Sequence, residues 1–236
     1  MRKPETDYRK LRISNLHSPQ FRHLELLLGW VLYFVLYVLT ERLIPPERCH
    51  VIHCPLDDRI PFCEVFVIFY VLWYALIAGS LGYFLLYSVD SFKKLQTYIL
   101  ITQLLATAVY VLYPSRQELR PAAFPRENFL TDVLGAIYAV DTPTGVFPSL
   151  HVAISIGIAS VWLRERSVKP WIRGAIAAFC FGVCLSVAFV KQHSIFDSFA
   201  AIPVCMVAEW FVFFRGKHGC ISIFTMLKYH KRREDP

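Results

Sequence analysis

The sequence predicts an all-α membrane protein: a six-transmembrane-helix bundle with a short interfacial helix in its second outer loop. Hydrophobic residues make up 56% of the 236 residues and charged residues only 18%, whereas soluble domains are usually about 45–50% apolar and about 25% charged. The apolar residues are gathered in runs that approach the length of about 20 residues that a helix needs to cross a bilayer. Lysine and arginine flank these runs, as is typical of membrane proteins.

Six apolar runs are the candidate spans. They are 24–44, 64–87, 95–113, 147–163, 174–190 and 194–214. The first run is too long for the apolar part of a signal peptide and has no clear small-residue cleavage site, so we expect it to be retained as a span. The chain therefore divides into a basic leader at 1–23, a membrane domain at 24–214 and a basic tail at 215–236.

The distribution of positive charge predicts the orientation of the bundle. With six spans, both termini lie on the same side of the membrane. Of the 25 lysine and arginine residues, 18 lie on that side and seven on the other. Because cytoplasmic loops carry the excess of positive charge, we expect both termini in the cytoplasm of a multi-pass protein of the cell membrane. The loops at 45–63, 114–146 and 190–194 then lie on the extracytoplasmic face, called the outer face here.

The second outer loop contains a helical pattern within 126–140. Its apolar positions recur at helical spacing, with polar residues between them. These positions are Phe129, Leu130, Val133, Leu134, Ile137 and Tyr138. The pattern predicts a short helix that lies at the membrane interface; a gate through which a lipid enters is the second interpretation.

Charge and cysteine content exclude some classes of function and leave others open. The net charge of +7 does not indicate nucleic-acid binding, because the basic residues flank apolar runs and form no basic face with interleaved aromatic residues. Cys49, Cys54 and Cys63 share the first outer loop, where one disulfide is compatible with an extracytoplasmic location, but three cysteines do not specify a pair. We expect no metal ion and no cofactor.

A histidine and an aspartate mark the outer start of the sixth span. His193 and Asp197 are four residues apart and therefore share one face of a helix. The carboxylate can accept a hydrogen bond from one ring nitrogen, which leaves the lone pair of the other nitrogen free to attack. A polar pair that only satisfies backbone donors at a helix start is the alternative. Ionisable residues beside hydrocarbon are costly, so function is the default hypothesis.

The string Pro148-Ser149-Leu150-His151 opens the fourth span on the same face. Proline is favoured at the first position of a helix, and the free N–H groups of a helix N-terminus suit an anion. Ser149 can add a hydroxyl donor, and His151 can donate a proton. Simple helix initiation after Gly145 is the alternative.

Two cations of the outer loops are candidates for binding an anion. Arg120 precedes Pro121, and its planar guanidinium matches the oxygens of a phosphate group. Lys191 lies two residues before His193 and either neutralises a phosphate or only extends toward the membrane surface. A solvated loop arginine is the alternative for Arg120. The predicted topology brings Arg120, His151 and His193 to one membrane face, although they are far apart in sequence.

The order of these residues resembles the motifs of the type 2 phosphatidic acid phosphatase superfamily. The family pattern is K-x6-R-P, then P-S-G-H, then S-R-x5-H-x3-D. The corresponding residues here run from Tyr113 to Arg120-Pro121, then Pro148-Ser149-Leu150-His151, then Ser186-Val187 to His193 and Asp197. The six-span layout is also similar to that of the family, so the resemblance covers most of residues 24–214.

Three positions depart from the family pattern. Tyr113 stands in place of the first lysine, Leu150 in place of the glycine, and Val187 in place of the last arginine. Two cations that bind phosphate in the family are therefore missing from their usual places, and Lys191 or Arg116 is the candidate to compensate. The chain looks more like the divergent branch that includes inositol phosphorylceramide synthase, on the evidence of Tyr113-Pro114-Ser115 and of Asp58 with Pro61-Phe62.

The resemblance implies a membrane enzyme that acts on a lipid phosphate without a metal ion. His193 would attack phosphorus and form a phosphohistidine, Asp197 would orient His193, and His151 would protonate the leaving oxygen and then activate water or an alcohol. The groups implied to hold the phosphoryl oxygens are Arg120, Ser149, the backbone N–H of Leu150, and Lys191.

Three functions remain open at this point. The first is a lipid phosphatase that hydrolyses a lipid phosphate or diphosphate at the extracytoplasmic face. The second is a phosphotransferase that moves a phospholipid headgroup, as inositol phosphorylceramide synthase does. The third is a non-catalytic lipid-binding relative, against which the presence of His151, His193 and Asp197 argues, because a binder needs no nucleophile.

Overall fold

The computed structural model describes residues 3–214, and the predicted basic tail lies outside them. Within that part the chain forms seven α-helices and two strands of two residues each. They are α1 (Leu28–Leu43), β1 (His50–Val51), α2 (Val67–Tyr87), α3 (Val89–Leu112), β2 (Ser115–Arg116), α4 (Phe129–Val140), α5 (Leu150–Arg164), α6 (Pro170–Phe189) and α7 (Ile195–Glu209). This composition confirms the all-α class.

Five helical stretches of the described residues are long and apolar enough to cross a membrane. They are Arg22–Leu43, Glu64–Tyr87, Val89–Leu112, Pro170–Phe189 and Ile195–Phe214, which include short turns of other helix types next to α1, α2 and α7. Their number is that of a multi-pass membrane protein. The fourth predicted span corresponds to α5, which has only 15 residues. A helix of that length extends about 22 Å, less than the hydrocarbon thickness of about 30 Å, so the count of six spans stays a prediction.

Two helices form the centre of the bundle. Helix α5 packs against α3, α6 and α7, and α3 packs in addition against α1 and α2. The centre of α3 carries buried polar residues, among them Gln96 and Gln103. Helices α3 and α5 approach closely at Gly157, where an added Cβ would lie 2.3 Å from the ring of Tyr98. The two helices therefore approach closely at the level of Tyr98.

Helix α1 lies at the edge of the bundle. It packs on α3, as α2 does, but α1 and α2 do not pack closely on each other, and no residue of α1 is buried. Two exposed aromatic side chains, Phe34 of α1 and Tyr74 of α2, face this gap and are 57% and 59% exposed. The bundle is therefore open on its side between α1 and α2.

All the loops that precede α2, α5 and α7 meet at one end of the bundle, called the site end here. Strand β1 pairs with β2 in parallel, the Cys63 N–H donates to the Phe189 carbonyl, and the Ser149 N–H donates to the Asp197 carbonyl. Helix α4 lies at this end within the segment 126–140, where the sequence predicts a short helix. Its first turn is capped by Asn128, whose side chain accepts from the backbone of Leu130 and Thr131.

The leader of the chain packs against the opposite end of the bundle. The Glu5 N–H donates to the carbonyl of Leu86, and the hydroxyl of Tyr8 donates to the carbonyl of Leu85. Phe21 is buried at 1% exposure. The described part of the leader therefore belongs to the folded structure.

Candidate active site

His193 lies just before α7, and its hydrogen bonds fix its protonation pattern. Nδ1 lies 3.1 Å from the carbonyl oxygen of Val146 and 3.2 Å from Oδ2 of Asp197. A carbonyl oxygen can only accept, so Nδ1 must carry a proton. The neutral ring then has its lone pair on Nε2, which makes no hydrogen bond with any described residue. This is the nitrogen that is free for nucleophilic attack.

Asp197 lies in the first turn of α7 and is completely buried. Its Oδ2 accepts from His193 and from the Ser194 N–H at 2.9 Å, while Oδ1 is buried with no partner among the described residues. The carboxylate is therefore placed to stabilise positive charge on the His193 ring, and half of its capacity to accept hydrogen bonds is unused.

The loop at 45–63 holds the start of α7 in place through Asp57. Its carboxylate accepts from the hydroxyl of Ser194 at 2.6 Å, from the Ile195 N–H at 2.8 Å and from the Cys54 N–H at 2.7 Å. A carboxylate at a helix N-terminus satisfies free N–H groups and complements the helix dipole. Asp57 is thus a structural anchor of the segment that carries His193 and Asp197.

His151 lies in the first turn of α5, facing His193. The ring centroids of the two histidines are 5.7 Å apart. The ring of His151 stacks on Tyr70 at 4.3 Å and contacts Trp73 at 4.1 Å, and its Nε2 is buried with no partner among the described residues. The imidazole is held by aromatic packing, so its buried nitrogen remains available.

The N-terminus of α5 presents free backbone N–H groups beside the two histidines. Ser149 is the N-cap: its hydroxyl accepts from the Val152 N–H at 3.5 Å, and its own N–H donates to the Asp197 carbonyl at 3.0 Å. Within the described residues, the N–H groups of Leu150 and His151 make no hydrogen bond. Such groups at a helix start suit an anion.

A cavity of about 490 Å³ opens in front of the histidines. It extends from the site end into the bundle between α1, α2, α3 and α5. Most of its wall is aromatic or aliphatic, and its polar lining near the histidines comes from Asp141, Thr142, Thr144 and Gln192. Of the predicted site residues, His151, His193 and Leu150 line the cavity, whereas Asp197 and Ser149 lie directly behind its wall. Its volume suits a small-molecule or lipid ligand.

Arg120 reaches the cavity only through another residue. Nη2 of its guanidinium donates to Oε1 of Gln192 at 2.7 Å, Nη1 donates to the carbonyl of Tyr138 at 3.1 Å, and Cζ lies 4.6 Å from the centroid of the Tyr138 ring. Gln192, in turn, lines the cavity. The positive charge of Arg120 is therefore one side chain behind the wall, in contact with α4.

Lys191 points away from the cavity in this structure. Its ammonium donates to the carbonyl oxygens of Asp57 and Ile60, at 2.7 and 2.6 Å. Burial lowers the pKa of Lys191, an effect that the carboxylates of Asp57 and Asp58 oppose. The lysine holds the loop at 45–63 against the loop before α7.

A carboxylate that the sequence analysis did not select, Asp141, lines the cavity. Its Oδ2 accepts from the hydroxyl of Tyr70 at 3.4 Å and from Nε2 of Gln192 at 3.3 Å. Burial raises the pKa of Asp141, although the neighbouring His193 and the guanidinium of Arg120 act in the opposite direction. No lysine or arginine of the described residues lines the cavity. The wall therefore carries one acidic group and no permanent positive charge.

The remaining motif positions lie away from the cavity. Tyr113 stacks on His50 with centroids 4.5 Å apart, Val187 is fully buried in the core, and Arg116 pairs with Glu118 at 2.6 Å. Neither Arg116 nor Lys191 lines the cavity, so neither stands where a missing phosphate-binding cation would be. Within residues 3–214 all cysteines are free, and no group of three or more His, Cys, Asp or Glu side chains could hold a metal ion.

Comparison of the chain with family models, with curated proteins and with solved structures found no match. The residues of the site are thus the basis for inferring what it does.

Sequence reasoning missed several residues of the cavity wall. Gln192 is adjacent to His193 in sequence, which is the signal that could have identified it. Asp141 is a lone acid after an apolar helix, a pattern that also fits an ordinary helix end. Trp73 of the wall lies within an unbroken apolar run, as does Tyr70, which stacks on His151 behind the wall, and nothing in the sequence distinguishes them from lipid-facing residues.

Proposed function

We propose that the protein is a membrane lipid phosphatase or phosphotransferase in which His193 becomes transiently phosphorylated. One observation carries this proposal: Nδ1 of His193 is bonded to two acceptors, and Nε2 is free at the wall of a cavity that His151 also lines. A histidine that only supports the fold has no need of a second imidazole 5.7 Å away. The lateral opening between α1 and α2 gives a lipid chain access to the same cavity.

The proposed reaction has two steps that balance. In the first, Nε2 of His193 forms a bond to phosphorus while the bond from phosphorus to the leaving oxygen breaks, and His151 gives that oxygen its proton. The Asp197 carboxylate stabilises the positive charge on the phosphorylated ring. In the second, water or an acceptor alcohol gives its proton to His151 and attacks phosphorus, and the bond to Nε2 breaks.

The free N–H groups of Leu150 and His151 support the binding of phosphoryl oxygens in this proposal. The helix dipole of α5 favours negative charge there. Arg120 contributes through Gln192, and Ser149 contributes by capping the helix that carries these groups. The proposal includes the six-span layout, which rests on the apolar runs. It also includes cytoplasmic termini and an extracytoplasmic site at the cell membrane, which rest on the positive charge of the loops.

A second candidate, transfer of a phospholipid headgroup, is favoured by Asp141. A phosphate monoester carries about two negative charges near neutral pH, since its second pKa is about 6, whereas a phosphodiester carries one. The cavity wall has one carboxylate and, among the described residues, no lysine or arginine. It therefore repels a singly charged phosphodiester less than a doubly charged monoester. Hydrolysis of a lipid phosphate leaves a phosphohistidine, whereas transfer from a phosphodiester leaves a histidine that carries the phosphate together with its headgroup. The two reactions therefore share the nucleophile and the nitrogen–phosphorus bond but not the adduct.

The experiment that tests the proposal is the capture of that intermediate. Purified wild-type protein is mixed with phosphatidate labelled in its phosphate, quenched in base, and examined for label on histidine. We expect a label that is stable to base and lost in acid. His193→Ala should abolish the label and lower turnover at least about 10³-fold, whereas turnover by this variant at the wild-type rate would refute the proposal.

His53→Ala is the matched control for that experiment. His53 is a histidine of the same end of the bundle whose ring contacts the exposed carboxylate of Asp58 at 3.0 Å and does not line the cavity. We expect normal labelling in this variant. To separate hydrolysis from transfer, a phosphodiester lipid labelled in its headgroup phosphate is supplied with an acceptor alcohol, since hydrolysis releases a soluble phosphate compound and transfer produces a new lipid.

A further inference from the structure

The deep part of the cavity contains an amide group with no hydrogen-bond partner. Gln103 of α3 is 1% exposed and lines the cavity. Both Nε2 and Oε1 of its side chain are buried without a partner among the described residues. Buried polar groups are almost always hydrogen-bonded, because burial without a partner costs free energy. An amide with neither atom satisfied therefore requires an explanation.

A second glutamine of the same helix shows what a structural amide looks like in this protein. Gln96 is also buried, but its Oε1 accepts from Nε1 of Trp30 at 3.1 Å and its Nε2 donates to the Leu26 carbonyl at 3.2 Å. Gln96 and Gln103 are seven residues apart and so lie on nearly the same face of α3. The fold thus satisfies one amide completely and leaves the other open toward a cavity.

Gln103 lies deeper in the bundle than the histidines, farther from the site end. Tyr110 of the same helix also lines the cavity, and its hydroxyl donates to the Pro148 carbonyl at 2.8 Å, which places it level with the start of α5. Seven residues of helix correspond to about 10 Å, so Gln103 lies about 10 Å deeper than Tyr110. At that depth the wall is otherwise aliphatic or aromatic, with Leu81, Ile77 and Trp30 among its residues.

We infer that Gln103 is a specificity-determining residue that binds a polar linkage in the lipid chain of the substrate. The ligand class is a lipid with an ester, amide or hydroxyl group on the order of 10 Å from its phosphate, as opposed to a pure hydrocarbon chain such as a polyprenyl phosphate. This inference rests on the proposed function for the placement of the phosphate at His193.

The chemistry of a primary amide ranks the candidate lipids. Nε2 donates and Oε1 accepts, so an amide or hydroxyl group can satisfy both atoms, and an ester can satisfy Nε2 alone. A polyprenyl chain can satisfy neither and leaves the desolvated amide unpaired. Sites built to hydrogen-bond a ligand reject analogues that lack the matching group, because the site is then left unsatisfied.

The test compares how two variants bind three lipids. Binding is measured as the lipid-dependent rise in melting temperature of the full-length protein in detergent micelles, with N-acyl, diacyl and polyprenyl phosphates of similar chain length. We expect the wild-type protein to prefer the first two over the polyprenyl phosphate by about tenfold or more. Gln103→Met, which keeps the length of the side chain, should reduce that preference to within about threefold and leave the ligand-free melting temperature equal or higher.

Gln96→Met is the matched control, since it removes an amide that the fold already satisfies. It should lower the melting temperature and keep the preference among lipids. Gln103→Leu serves as the second variant if the methionine does not pack. Equal lipid preference in wild-type and Gln103→Met protein would overturn the inference. A lower melting temperature of Gln103→Met protein with unchanged preference would also overturn it. Both results are those expected if the glutamine only supports the fold.

The readout separates this inference from the proposed function. Repeating the binding comparison in the His193→Ala background removes any turnover. One outcome is that the wild-type protein forms no phosphohistidine, but the lipid preference in the His193→Ala background still depends on Gln103. This outcome would support the lipid site and refute the catalytic proposal. If phosphohistidine forms but the lipid preference does not depend on Gln103, the catalytic proposal is supported and the lipid-site inference is refuted.

Discussion

The two ends of α5 differ in whether their polar groups have partners. At its C-terminal end, Ser160 and Arg164 bind each other and Glu209 of α7, with Nη2 of Arg164 3.1 Å from Oε2 of Glu209. The guanidinium also lies 4.2 Å from the centroid of the Phe213 ring. At its N-terminal end, Nε2 of His151 and Oδ1 of Asp197 are buried without a partner among the described residues, beside a cavity.

This difference distinguishes, within one helix, polar groups that support the fold from polar groups that are available to a ligand. Both ends place ionisable groups in apolar surroundings, which costs free energy unless the groups are paired. At the C-terminal end, the side chains of Ser160, Arg164 and Glu209 bind one another, so none of them needs a ligand as a partner. The N-terminal end leaves acceptors unused, which is typical of a site that binds something else. The two ends therefore predict different responses to the same kind of substitution.

The largest expected effect is on turnover, at the N-terminal end. His151→Gln keeps a polar side chain of similar size but cannot transfer a proton near neutral pH, so we expect turnover of a lipid phosphate to fall by about 10²–10⁴-fold. The melting temperature should fall only by the loss of the ring contacts with Tyr70 and Trp73, because Nε2 of His151 makes no hydrogen bond in the described structure. Turnover is measured as release of phosphate or headgroup from lipid in micelles.

His23→Gln is the control for that substitution. His23 is also buried, but it lies at the opposite end and its Nε2 is 2.7 Å from the hydroxyl of Tyr8. We expect a lower melting temperature and unchanged turnover. If His151→Gln protein keeps the wild-type rate, the unpaired nitrogen is not part of catalysis and the contrast between the two ends loses its functional meaning.

A smaller effect, on stability, is expected at the C-terminal end. Glu209→Gln removes the charge that Arg164 and Ser160 share and should lower the free energy of unfolding by about 1 kcal/mol, because the pair is partly exposed. For a chain of this size that corresponds to a fall in melting temperature of roughly 2–4 °C. Turnover should stay within about twofold of wild type, since this cluster does not line the cavity that contains the histidines.

Glu118→Gln provides the comparison for Glu209. Glu118 pairs with Arg116 at the site end, but the Glu118 side chain is 56% exposed whereas that of Glu209 is 22% exposed, so we expect no measurable change in melting temperature. A loss of turnover in Glu209→Gln protein as large as that in His151→Gln protein would show that the two ends of α5 act together.

Hydrophobic patterning was sufficient to predict the helices but not all of their ends. The predicted start of the third span at 95 is six residues later than the start of α3 at Val89. The first turns of α3 carry Asp90, Lys93 and Lys94, which interrupt the apolar run in the sequence. In the structure, the Lys94 ammonium pairs with Asp90 four residues earlier, and Ser91 donates to Glu165 at the same end of the bundle. Charged residues at this end of the bundle thus form the first turns of a helix whose start hydropathy alone places too late.

The histidines of the candidate site could be selected from sequence, but the cations could not. His193 lies just before α7 and not in it, but the spacing of four residues still brings its ring within 3.2 Å of the Asp197 carboxylate. The roles of Arg120 and Lys191 depend on residues that are distant along the chain: the Gln192 side chain binds the arginine, and the carbonyl oxygens of Asp57 and Ile60 bind the lysine. Long flexible side chains reach such partners only in the folded protein, so no local pattern specifies them.

The smallest expected effect concerns the acidic group of the cavity wall. Burial raises the pKa of Asp141 in the folded protein, so the folded state binds a proton more tightly than the unfolded state does. Its contribution to stability is present below the unfolded pKa of about 3.9 and is lost as pH rises through the folded value. Asp141→Asn has no proton to lose, so at pH 7 it should melt at a slightly higher temperature than wild type. Melting curves between pH 8 and pH 4 should show this difference shrinking toward acid, and a difference that grows toward acid would mean that the ionised carboxylate stabilises the wall.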